Sequence, residues 1–92
     1  MNGMTQTMLN SVSATGAGAA FSSSELTRAF QVVITDTATC VLEASMFEDF
    51  STVVTLRTST ASEGYSTLEP WPYMRGNVTA YTSGTVTLVM AT

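Results

Sequence analysis

Apolar side chains recur along this chain in steps of two, a pattern that leaves room for little except strands. In "RAFQVVITD", Phe30, Val32 and Ile34 share one face. In "TCVLEASM", Cys40, Leu42, Ala44 and Met46 share a face opposite Val41, Glu43 and Ser45. In "STVVTLRT", Val54 and Leu56 oppose Val53, Thr55 and Arg57. Near the end Met74, Val78 and Ala80 oppose Tyr73, Arg75, Asn77 and Tyr81, and Val86, Leu88 and Met90 continue the inner side. Met8 to Ala14 alternates more weakly. Turn-forming clusters fall between these runs: "ATGAGA", "TDTA", "FEDF", "SEG", "EPWP" and "YTSG". Their spacing of roughly ten residues suits an antiparallel sandwich or small barrel. The expected fold is therefore all-β: one small antiparallel β-sandwich, immunoglobulin-like or barrel-like, with about 7–8 short strands. Only "SSSELTRAF", where Ser22 and Glu25 match a capping box, could hold a helical turn, and a short turn at most is expected there.

The chain of 92 residues is read as one domain over 1–92, with residues 1–10 a polar arm that could add a strand to a neighbour. Only 11% of the residues are charged, well below the ~25% of typical soluble domains, so little of the surface is made for water alone. The faces assigned outward carry Val33, Val41, Val53, Val89, Tyr73 and Tyr81. Such faces are covered either by the rest of the fold or by another chain.

The net charge of −4, with three arginines and no lysine, argues against nucleic acid and against an anionic membrane surface. No run approaches the ~18 apolar residues of a membrane span, and the first ten residues lack the pattern of a signal peptide. The expectation is a soluble protein made in a cytoplasm. The single cysteine, Cys40, forms no internal disulfide and lies on an apolar face, where a thiol is inert.

Catalysis is not expected. The chain has no histidine, and no base partner accompanies its many Ser and Thr hydroxyls. Glu48 and Asp49 read as a solvated hairpin tip without the oxygen-ligand spacing of a calcium loop. "GAGAAF" lacks the third glycine and the strand–helix context of a dinucleotide loop. No metal or other cofactor is expected. Glu63 and Glu69 could pair with arginines. Trp71, between Pro70 and Pro72, is read either as a plug at the end of the sandwich or as a rigid anchor at an interface.

Three stretches taken together carry a resemblance: "FQVVITDTATCVLEASM", "VVTLRT" and "EPWPYMRGNVTAYTSGTVTLVM". From about Ser11 to Met90 the chain resembles the small all-β virion proteins of tailed bacteriophages, most closely from Pro70 onward. It departs from them at "SMFEDFSTVV", where Phe50 stands near the place of a Trp and no Gly is present. The resemblance implies a decoration (cement) protein on the capsid surface of the virion. It would bind the major capsid protein on the outside of the head as a homo-oligomer, a trimer being favoured. The interface candidates are Trp71, Tyr73, Arg75, Tyr81, Phe47, Phe50 and Arg57. Two rival expectations are another virion part (a connector, tail or fibre-associated protein) and a host-surface module. The latter would bind carbohydrate through Trp71, Tyr73 and Tyr81.

Overall fold

The computed structural model describes residues 5–22, 28–69 and 71–91. Eight strands run in the order β1 (Thr5–Val12), β2 (Gly16–Ala17), β3 (Arg28–Ile34), β4 (Thr37–Ser45), β5 (Val54–Ser59), β6 (Glu63–Thr67), β7 (Tyr73–Ser83) and β8 (Val86–Ala91). They form two four-stranded sheets, β1-β8-β3-β6 and β2-β7-β4-β5, with every pairing antiparallel. The all-β sandwich expected from the alternation is the fold. The connectivity is more specific than that expectation: the chain changes sheet at every connection except β4–β5. That order is a double Greek-key jelly roll, not the immunoglobulin arrangement. Alternation says which side of a strand is apolar, but not which strand lies beside it.

The core lies where the alternation puts it. Phe30, Val32 and Ile34 of β3, Cys40, Leu42 and Ala44 of β4, and Val86, Leu88 and Met90 of β8 are buried together with Met74 and Val78 of β7. Gly76 shares this inner face because nothing larger fits: a Cβ there would lie 2.8 Å from methyl carbons of both Leu88 and Leu9.

Four readings of the sequence are corrected by the pairing. An extra residue in β7 separates the pairs Cys40–Val78 and Thr39–Ala80. This bulge at Thr79 reverses the parity beyond it. Ala80 is therefore exposed, and Tyr81, expected outside, packs against the core with its hydroxyl donating to the Gly84 carbonyl at 2.9 Å. A second bulge in β5 lies between the pairs Leu42–Arg57 and Glu43–Thr55. It leaves both Leu56 and Arg57 turned toward the space between the sheets, so Arg57 is not on the outward face. β1 carries two register shifts, which is why its alternation is weak: the adjacent Met8 and Leu9 are both buried. The stretch expected as an arm over 1–10 is thus, from Thr5 onward, a strand paired with β8; residues 1–4 lie outside the described residues. The helical turn expected at Ser22–Glu25 falls mostly outside them too.

Because successive strands alternate in direction, their connections collect at two ends. The β1–β2, β3–β4, β5–β6 and β7–β8 turns share one end, where all are short and rich in Ser and Thr. There Thr35 and Thr85 tie two turns together: the Thr35 amide donates to the Thr85 carbonyl at 3.1 Å, and the Thr85 amide to Thr35 Oγ1 at 2.8 Å. Gly84 closes the β7–β8 turn at φ +89°, a conformation that L side chains rarely adopt. The longer β4–β5 and β6–β7 connections lie at the opposite end, with the start of β3.

Candidate docking surface

The β4–β5 connection is a built platform. Ser45, fully buried at the end of β4, donates its hydroxyl to the Thr52 carbonyl at 2.7 Å and accepts the Phe47 amide at 2.9 Å. The Phe50 amide donates to the Phe47 carbonyl at 3.0 Å, and the Ser51 amide to Asp49 Oδ1 at 3.0 Å. Phe50 itself has φ +53°, rare for an aromatic residue. That backbone turn folds its ring down on the outer face of the β2-β7-β4-β5 sheet, under the Arg75 guanidinium at 4.3 Å. Arg75 Nε donates to Glu43 Oε1 at 2.8 Å and Asn77 Nδ2 to Glu43 Oε2 at 3.1 Å. Glu43 and Arg75 are direct cross-strand partners, so the sheet register makes this pair. Val41, Glu43 and Ser45, expected to face outward, are in fact buried: β4 is covered on both sides.

With Phe50 turned inward, Met46 and Phe47 are left in water, 63% and 54% exposed. Among the described residues the exposed large hydrophobics are these two with Val53, Val54, Leu68 and Val33. All but Val33 lie at the end of the sandwich that carries the β4–β5 and β6–β7 connections. The Ser/Thr turns of the other end have none. Glu48 and Asp49 join Met46, Phe47 and Tyr73 around a shallow groove of about 460 Å³. The surface at this end is apolar with acidic members.

The seven sequence-derived candidates divide accordingly. Phe47 and Tyr73 share the groove. Trp71 belongs to the same end but packs against the core, its Nε1 donating to Glu69 Oε1 at 2.6 Å. Arg75 and Phe50 are spent on each other and on Glu43, and Phe50 is buried. Arg57 pairs with Glu63 across the side of the sandwich and lies over the Tyr65 ring at 5.1 Å. Tyr81 belongs to the opposite end. The sequence places Val53 outward, as found, but does not single out Met46, Val54 and Leu68. The alternation of β4 runs through Met46 without a break and so predicts it in the core.

Arg28 is another such residue. It is fully buried at the start of β3, and its Nη1 donates to the carbonyls of Trp71 at 3.0 Å and Glu69 at 3.3 Å. It thereby pins the β6–β7 connection, and burial pushes its guanidinium below the ordinary value. The Cys40 thiol is buried and pushed up to about 11 by desolvation, as expected of an inert thiol. Among the described residues no group of three or more His, Cys, Asp and Glu could hold a metal ion, and no helix is long and apolar enough to cross a membrane.

Glu63 accepts hydrogen bonds from Arg57 and from the Ser59 hydroxyl, and these hold its carboxyl below the usual range, Arg57 having the largest effect. Stability from a depressed carboxyl is present above its unfolded value, ~4.3, and is lost as pH falls through the lower folded value. Urea midpoints for wild type and Glu63→Gln should therefore differ most near neutral pH and converge in acid. A gap that does not change with pH would contradict this role.

No protein-family model matches this chain, and no curated protein sequence matches it.

Proposed function

We propose that this chain is a structural protein of a virus particle, a decoration protein that docks on the outer surface of a tailed-phage head. The observation that carries the reading is the division of the molecule into a hydroxylated end and an apolar end built on the Ser45-braced platform. Contiguous exposed apolar surface marks interaction sites, and aromatic anchors concentrate binding energy. The acidic Glu48 and Asp49 beside Phe47 fit a partner with an apolar patch and a basic rim.

The edges of both sheets are poor templates for strand addition. β2 has two residues, β6 has five, and β1 and β5 are interrupted by register shifts. Docking through the end of the sandwich remains. The jelly-roll order recurs in viral capsid domains, which supports the reading by analogy. So does the sequence resemblance to small phage virion proteins.

Purified protein added to heads that lack it should bind saturably and raise the temperature at which the heads rupture. Absence of binding would remove the proposal.

A second reading rests on the groove itself. Jelly rolls also serve as lectins, and Phe47 and Tyr73 beside two carboxylates could stack on and hydrogen-bond a sugar. Glycan-array binding by the isolated protein, lost in Phe47→Ala, would favour it.

A further inference from the structure

Twice in this fold an arginine lies over an aromatic ring with a carboxylate beside it. On the outer face of the β2-β7-β4-β5 sheet the Arg75 guanidinium is 4.3 Å from the centre of the Phe50 ring and donates to Glu43. At the side of the sandwich the Arg57 guanidinium is 5.1 Å from the centre of the Tyr65 ring and pairs with Glu63. The groove at the candidate docking end brings together the same kinds of group, Phe47 and Tyr73 with Glu48 and Asp49, but no arginine lines it. Glu69 beside Trp71 is a different case, since the indole N–H itself satisfies that carboxylate.

The chain keeps no cation of its own for this groove. It has three arginines and no lysine. Arg57 and Arg75 hold Glu63 and Glu43, and Arg28 is fully buried against the carbonyls of Glu69 and Trp71. The Glu48 carboxylate has no hydrogen-bonding or ionic partner among the described residues, and Asp49 gives one oxygen to the Ser51 amide. Two neighbouring carboxylates repel, and one cation from outside relieves both. Arginine suits the groove better than lysine, because its planar guanidinium stacks on a ring and forks onto a carboxylate at once. Its methylenes need apolar flanks, which Met46 and Phe47 provide. Tyr73 is the ring for the stack: it stands on β7 two residues before Arg75, with the same outward parity, and is held in register with Ser45.

We infer that the groove takes an arginine side chain of the protein partner, its guanidinium stacked on Tyr73 and paired with Glu48 and Asp49. The site rests on the docking role proposed above and assigns the group on the partner that this end recognises. One side chain is enough to test it, so no capsid is needed.

Acetyl-arginine amide, titrated at constant ionic strength into isotopically labelled protein, should move the amide resonances of Phe47, Glu48, Asp49 and Tyr73. A dissociation constant on the order of 10 mM is expected for one side chain. The lysine analogue should bind about threefold more weakly, and the citrulline analogue, planar but uncharged, should not bind measurably. Glu48→Gln, at an exposed tip where the fold does not depend on it, should weaken the arginine probe about threefold. Tyr73→Leu, which keeps an apolar side chain but removes the ring, should do the same. No movement of these resonances, movement only elsewhere, equal binding of the lysine or citrulline analogue, or undiminished binding by Glu48→Gln would each overturn the inference. Arginine binding in the groove by a protein that does not attach to phage heads would keep the site and remove the capsid role. Attachment to heads without arginine binding would keep the capsid role and remove the site.

Discussion

Arg75→Ala should lower the stability of the fold by about 2–3 kcal/mol, a large share of what a domain this size possesses. The substitution strips Glu43, almost buried in the middle of its sheet, of its 2.8 Å partner and leaves only Asn77 to satisfy it. Breaking a fully buried pair costs ~3–5 kcal/mol; Arg75 is one-quarter exposed, so water recovers part of that. The Phe50 ring also loses the guanidinium above it. Arg75→Lys keeps the charge but not the planar contact, and should recover the loss only in part. In a double-mutant cycle with Glu43→Ala, the two losses should fall short of additivity by ~1–3 kcal/mol. Urea unfolding of the four proteins checks this, and simple additivity would mean that the pair contributes nothing.

Phe47→Asp should have the opposite profile. Phe47 is more than half exposed and its amide, not its ring, holds the platform, so the melting temperature should hardly move. On the proposed capsid role, attachment to phage heads should fall ~30-fold or more, the effect of removing an interface anchor worth ~2 kcal/mol and adding a third carboxylate beside Glu48 and Asp49. Trp71→Ala is expected to lose both, because its indole packs on the core and its Nε1 donates to Glu69. Normal attachment of Phe47→Asp would move the docking site away from this end.

Much of the fold was legible because burial follows parity wherever a strand is regular. β3 reads Arg28, Phe30, Val32 and Ile34 in, with Ala29, Gln31 and Val33 out, and it folds that way. The misreadings begin at bulges. Nothing in "NVTAYTSG" marks Thr79 as an extra residue; only the partner strand β4 reveals it, and Tyr81 changes sides as a result. Arg57 changes sides for the same reason in β5.

The candidate docking surface was half legible. "SMFEDFSTVV" shows a turn with two aromatics, and either could face outward. The left-handed backbone of Phe50 decides it, burying one ring over Arg75 and leaving the other in solvent. The Ser45 brace could not be read, since a serine that spans a loop looks like any other serine until the loop closes on it.

The proposed capsid role is tested most directly by the copy number of this chain in purified tailed-phage particles, counted by quantitative mass spectrometry against the major capsid protein. A protein that covers a symmetric shell should be present in hundreds of copies, in a simple ratio to the capsid subunit. About a dozen copies would assign it to the neck or tail, where one ring of subunits suffices. None at all would contradict a structural role in the particle.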